Sequence, residues 1–333
     1  MKLASFRNGT RDGELTIVSR DLRNAVSAKD IAPCLRVAVE SWAEVEADLE
    51  KRAQALESDA LAETFSFDPA EFMAPLPRAF QWLDASAYRS HGERMVKAFN
   101  VVPQTLRARH PLMYQGCSDR FYGAVEDFPI PSELNIDLEG EVAIITDQIP
   151  MAATADAVQD KVLLIMLAND VSLRALIGEM NLGFGMIQCK PSTAFSPVAV
   201  TPDELGSAWR NGKLHLPIHI SVRGDHLGSP DAGEMECSFF DLMAHAAATR
   251  ELSAGTILGS GTVSNADSSV GVACISEQRA LEKIRSGSPI TDFLHFGDTV
   301  RIEAFDQAGQ SVFGAINHQM VQLVMPSRFS EDH

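Results

Sequence analysis

Residues 135–146 read NIDLEGEVAIIT. The second half is an apolar, β-branched run of the kind that forms a buried strand. The first half sets Asp137, Glu139 and Glu141 at every second position. In an extended strand such residues point to one side and repeat every ~6.5–7 Å. The three carboxylates are therefore expected on one face, with Leu138, Gly140 and Val142 on the other. A solvated strand face is the ordinary reading of such alternation. Like charges side by side on a sheet repel one another, however, and further isolated acids border apolar segments elsewhere in the chain.

Working outward, strand signals recur in GELTIVSRD (13–21), LHLPIHISVRG (214–224), TVRIEAF (299–305) and INHQMVQLVM (316–325). Helical periodicity is clearest over 36–58, with further candidates around 155–165, 171–180 and 238–252. Strands outnumber helices, so the expected fold is α+β and β-rich rather than a doubly wound sheet. Prolines 69, 75 and 77 interrupt regular structure. They place a boundary between a small, β-containing N-terminal accessory domain (1–75) and a larger domain (76–333). No glycine-rich dinucleotide loop, phosphate-binding loop or nucleophile elbow is present.

The chain of 333 residues carries 28 Lys and Arg against 45 Asp and Glu, a net charge of −17. That balance argues against nucleic acid or an anionic membrane as partner. An anionic substrate would need a local positive centre, either a metal ion or a few Arg and Lys. Five cysteines, an odd number without a C-x-x-C pair, fit reduced thiols in the cytosol. The opening MKLASFRNGT lacks the apolar core of a signal peptide. The apolar run VLLIMLA (162–168) is too short to span a bilayer. A cytoplasmic location is the expectation.

The remaining acids carry the chemistry. Asp170 ends an apolar run and is followed by Ser172 and Arg174, and His91 lies seven residues after Asp84. Helix capping or a turn would account for each acid alone. Together they form a set of carboxylates bordering apolar segments, which is how an oxygen-ligated Mg²⁺ or Ca²⁺ site is assembled. Without paired cysteines, zinc is disfavoured.

Seven motifs then occur in order: DASAYRSH (84–91), MYQGCSD (113–119), DLEGEV (137–142), NDVSLR (169–174), KPSTAFSP (190–197), GSGTVSN (259–265) and CISE (274–277). In this order they resemble the fumarylacetoacetate hydrolase family over residues 80–325. The segment up to about 75 is similar to that family's small accessory domain. The resemblance implies a β-roll-like catalytic fold, usually a homodimer. It implies Mg²⁺ or Ca²⁺, with Mn²⁺ also compatible, held by Asp84, Glu139, Glu141 and Asp170, with Thr193 in the outer shell. Asp137 receives no ligand role and is expected to be structural. His91 is implied as the general base for water, with Glu277 as its orienting partner. Lys190 and Arg174 are implied to stabilise an enolate, and Tyr114, Thr262 and Ser86 to face the substrate.

The implied reaction is hydrolysis of a carbon–carbon bond in a 1,3-diketo acid, with fumarylacetoacetate the leading substrate. Fumarylpyruvate or another acylpyruvate is the alternative, as is an oxaloacetate-type decarboxylase or tautomerase using the same enolate. A metal-binding protein without catalysis is the reading from a different class. Asn100, Ile177, Asn181 and Ser86 stand where animal members of the family carry Arg, Gln, Tyr and Tyr. These are substrate-side positions, so the resemblance supports the reaction class better than the substrate.

Overall fold

In a computed structural model, which describes residues 1–99, 111–177 and 186–324, the strands Gly140–Thr146 and Val162–Asn169 are buried along their whole length. A strand covered on both faces reads as a continuous apolar run, not as alternation. This is why residues 162–169 form a strand. The helix expected over 155–165 is instead a 3₁₀ segment, Ala155–Lys161, followed by that strand. The two buried strands pair antiparallel at the centre of an eleven-stranded sheet. On one side the sheet continues through Ala199–Val200 to Lys2–Phe6, Glu14–Val18, Asn24–Ser27 and Phe65–Ser66. On the other side it continues through Ile257–Gly259, Trp82–Ala85 and Met113–Gly116. Because Lys2–Phe6 pairs with Ala199–Val200, the sheet runs unbroken between the N-terminal and later parts of the chain.

Both faces of this sheet are covered. On one, Ile220, Ile302 and Met320 of a second, five-stranded sheet share a core with Val142 and Ile144. On the other, Leu35 and Leu49 of the N-terminal helices pack with Ile145, Leu164 and Met166. The fold is α+β and rich in sheet. Its helices are α1 (Leu35–Glu40), α2 (Trp42–Glu57), α3 (Arg89–Phe99), α4 (Phe239–Ala246) and α5 (Ile275–Ser286). The single helix expected over 36–58 is broken at Ser41, where φ is −125° and ψ 30°. The helix expected around 171–180 is a short strand, Ser172–Leu173, and a 3₁₀ turn to 177. Residues 178–180 of that expectation, and Asn100 and Asn181, lie outside the described residues. Among the described residues no helix is long and apolar enough to cross a membrane.

Register positions the site. Glu141 pairs with Ala168, Gly259 with Ala143, and Asp84 with both Gly259 and Tyr114. Strands of one sheet thus deliver Glu141, Asp84 and Tyr114 to the same end, with Asp170 immediately after the strand Val162–Asn169.

Candidate active site

The acidic stretch at 135–146 does not run as one strand. Ile136–Asp137 pairs with Ser172–Leu173, Leu138 and Glu139 leave the ladder, and a new strand begins at Gly140. The expected single carboxylate face is therefore replaced by three separate buried sites. At the break the Asn169 side-chain Oδ1 accepts from the Glu139 backbone N–H at 3.0 Å, and the Glu139 carbonyl accepts from the Asp170 N–H at 3.1 Å.

Asp137 turns to the start of α5. Its carboxylate accepts from the backbone N–H groups of Ile275 (2.7 Å) and Ser276 (3.0 Å) and from Arg174 Nε (2.9 Å). An anion here compensates the unpaired N–H groups and positive end of the helix. Its role is structural: it ties α5 to Arg174.

Glu139 sits between cations. Its oxygens accept from Ser172 Oγ (2.7 Å) and Thr262 Oγ1 (2.8 Å), and lie 3.1 Å from Lys190 Nζ. Arg174 Nη2 approaches to 2.6 Å, an ion pair whose N–H is not aimed along a hydrogen bond. Burial works to raise the carboxyl pKa of Glu139, but the Lys190 and Arg174 charges outweigh it and hold the pKa below the usual carboxylate range.

Glu141 has the opposite surroundings. It is fully buried, neither oxygen has a hydrogen-bond partner, and burial together with the charges of Asp84 and Asp170 pushes its pKa well up. Asp84, Glu141 and Asp170 each present an oxygen within 4.8 Å of the others. Burial and the Asp170 charge raise the Asp84 pKa to about 8. Asp84 Oδ1 accepts from the Gly261 N–H at 3.0 Å. Two glycines of the GSG segment make that seat. A Cβ on Gly259 would strike Asp84 Oδ1 and the Trp82 ring, and Gly261 has φ +77° with the Ala85 carbonyl where its Cβ would go. Asp170 accepts from Thr193 Oγ1 (2.6 Å), Lys190 Nζ (2.7 Å) and the Tyr114 hydroxyl.

Three buried carboxylates with one unpartnered oxygen pair fit a hard divalent cation with oxygen ligands. Without one, burial keeps Glu141 protonated, a buried carboxyl with no hydrogen-bond partner, because its ionised form would be an uncompensated buried charge. Asp84, Glu141 and Asp170 are the residues that would hold the ion. Glu139, a fourth ligand by resemblance, is not gathered with these three, because Lys190, Arg174, Ser172 and Thr262 already take up its oxygens.

His91, on α3, places Nδ1 2.8 Å from Glu277 Oε2 in the first turn of α5. Burial raises the Glu277 pKa, but hydrogen bonds from His91, Ser264 and Arg94 lower it more, so the carboxyl is held ionised. An ionised partner makes Nδ1 the donor and leaves Nε2 with its lone pair. Arg94 also donates to Ser264 Oγ (3.1 Å) and to the Asn265 carbonyl (2.6 Å). Arg94 and Ser264 were not singled out in the sequence. The available signal for Arg94 was its position three residues after His91, on the same face of a helix. His91, Ser86, Tyr114, Arg174, Lys190 and Thr262 all line one cavity of about 380 Å³ together with Asp84 and Glu139. Glu277 stands behind His91, and Thr193 behind Asp170.

A model of the fumarylacetoacetase N-terminal domain 2 matches residues 1–78. A model of the fumarylacetoacetate (FAA) hydrolase C-terminal region matches residues 81–321. No protein of curated function matches at a significant level. Among solved structures, maleylpyruvate hydrolase from Sphingobium sp. SYK-6 shares 15% identity over 97% of this chain and 100% of its own, with a TM-score of 0.63. The same enzyme in complex with manganese (II) and pyruvate gives 16% identity, 97% and 99% coverage, and a TM-score of 0.61. The 5-carboxymethyl-2-hydroxymuconate delta-isomerase of Mycobacterium smegmatis shares 15% over 98% of this chain and 100% of its own, with a TM-score of 0.58. Likeness at this identity establishes a common fold.

Proposed function

The chain belongs to the fumarylacetoacetate hydrolase family, and on that premise we propose that it is a divalent-cation-dependent hydrolase cleaving a carbon–carbon bond of a 1,3-diketo acid, most simply an acylpyruvate. The observation that carries this reading is that His91, backed by Glu277, lines the same cavity as Asp84 of the acid cluster. Decarboxylation or tautomerisation needs no activated water; hydrolysis does. Similar folds named for maleylpyruvate hydrolysis, one of them holding manganese and pyruvate, support the acylpyruvate form over fumarylacetoacetate itself.

When bound at Asp84, Glu141 and Asp170, a divalent cation supplies Lewis-acid polarisation of the substrate oxygens. His91 Nε2 takes a proton from water as the water adds to the acyl carbonyl, while Glu277 keeps the imidazole in the required tautomer and stabilises its charged form. Lys190 and Arg174 place positive charge beside the pyruvyl part, where negative charge grows as the carbon–carbon bond breaks. The Thr262 and Tyr114 hydroxyls, now donating to Glu139 and Asp170, are the polar groups best placed to meet the substrate carboxylate and keto oxygens. Assembly as a homodimer belongs to the same proposal.

Incubating the purified protein with acylpyruvates and Mg²⁺ or Mn²⁺ tests the reading. Expected are pyruvate and a carboxylic acid as products, loss of turnover with EDTA, and a fall of about 10²–10⁴ in kcat for His91→Ala. A second reading, isomerisation or decarboxylation, draws on the similarly folded delta-isomerase. It predicts that His91→Ala keeps its activity and that no acyl fragment is released.

A further inference from the structure

The cavity has two chemically distinct ends. At its floor stand the acids, Arg174 and Lys190. Its outer wall is Met95 and Val96 of α3, Leu112 and Met113 of the edge strand segment, Ile177, and Met186. Leu112 and Ile177 are 41% and 39% exposed, large apolar side chains kept at the mouth of a site instead of in the core. Among the described lining residues the permanent cations are Arg174 and Lys190, and both are committed at the floor: Arg174 to Asp137 and Glu139, Lys190 to Asp170 and Glu139.

A substrate with a second carboxylate at its far end would press that charge against the thioether and aliphatic groups of this wall, and the described lining residues offer it no free cation. Removing water from a charge under those conditions is strongly unfavourable. An apolar end gains from the same wall, by much less per methylene than the roughly 10- to 200-fold of a fully enclosed pocket, because the wall is partly exposed. Three of the six wall residues are methionines, whose flexible thioethers adapt to different shapes.

Building on the hydrolase reading, we propose that the substrate is a 2,4-dioxo acid whose acyl substituent is apolar, alkyl or aryl, and not a dicarboxylate. Water adds to the C4 carbonyl and the C3–C4 bond breaks. Its electron pair goes to C3, which takes up a proton. The products are pyruvate and an apolar monocarboxylic acid, without any change that needs an oxidant or reductant.

The test is steady-state kinetics of the full chain with Mn²⁺ on acetyl-, hexanoyl- and benzoylpyruvate and on maleyl- and fumarylpyruvate. Hexanoyl- and benzoylpyruvate are expected to exceed both dicarboxylates by about 100-fold in kcat/KM, and acetylpyruvate by about tenfold. Cleavage with the dicarboxylates ahead would overturn the substrate assignment and leave the reaction class standing. Cleavage of none of the five would overturn both. Ile177→Arg, at a half-exposed position that tolerates charge, is expected to raise maleylpyruvate relative to hexanoylpyruvate by about tenfold. An unchanged ratio would show that this wall does not meet the acyl tail.

Discussion

Asp137 shows what a single residue's neighbours decide. In sequence it is one of three like acids spaced by two. In the structure its partners are Arg174 and the first N–H groups of α5, which arrive 138 positions later. No local pattern encodes that meeting, so its capping role was not legible, whereas the chemistry of the set of acids was. Replacing it removes the partner of a buried Arg and uncovers a helix start. Asp137→Ala is expected to cost about 2–4 kcal/mol in urea unfolding, and a loss below 1 kcal/mol would refute the anchoring role. Arg94 belongs to the same scale. It touches Glu277, the Ser264 hydroxyl and the carbonyls of Asn265 and Ala266 but does not line the cavity. Arg94→Met is expected to lower kcat about tenfold or more through the dyad while leaving KM nearly unchanged. A change in KM alone would mean that it acts on substrate binding instead.

The pair of helices α3 and α5 carries that dyad across a long separation in sequence. Neither helix was expected from periodicity, because each is short and mostly polar, with a narrow buried stripe. The strands were more legible, since runs such as 140–146 and 299–304 keep their β-branched pattern whatever they pack on. The continuous run at 162–169 lacks that alternation, and the 3.6-residue reading of its approach failed for this reason. α5 is held at its far end by Glu282, which accepts from the N–H groups of Ile290 (2.7 Å) and Thr291 (2.9 Å) and from the Thr291 hydroxyl. Burial opposes ionisation there, but these hydrogen bonds prevail and bring the carboxyl down from 4.5 to about 2. A depressed folded-state pKa adds stability that is complete above 4.5 and disappears as pH falls through about 2. Allowing for its partial exposure, Glu282→Gln is expected to cost about 1 kcal/mol at pH 7 and clearly less at pH 3.5, compared by urea titration. An equal cost at both pH values would remove the ionised carboxylate from the explanation.

At the scale of the molecule, an acidic chain with a net charge of −17 gathers Asp84, Asp137, Glu139, Glu141 and Asp170 around two permanent cations among the described residues, Arg174 and Lys190. Hydrophobic burial on both faces of the large sheet stabilises the fold; this centre works against it unless positive charge is added. Ligand binding to the native state stabilises by mass action, about 2.7 kcal/mol when a cation stands at 100 times its dissociation constant. For a chain of this size that corresponds to an increase of about 5 °C in Tm. The EDTA-dialysed protein is therefore expected to gain about that much on adding Mn²⁺ or Mg²⁺, followed by calorimetry. Glu141→Gln separates this from a general salt effect. It replaces a carboxyl that burial keeps protonated with a neutral amide of the same shape, so the cation-free variant is expected to melt no lower than the cation-free native protein while losing most of the response to Mn²⁺. A variant that still gained the full 5 °C would place the cation away from Glu141, and one that melted well below the native protein would mean that the Glu141 carboxylate is satisfied by the protein itself.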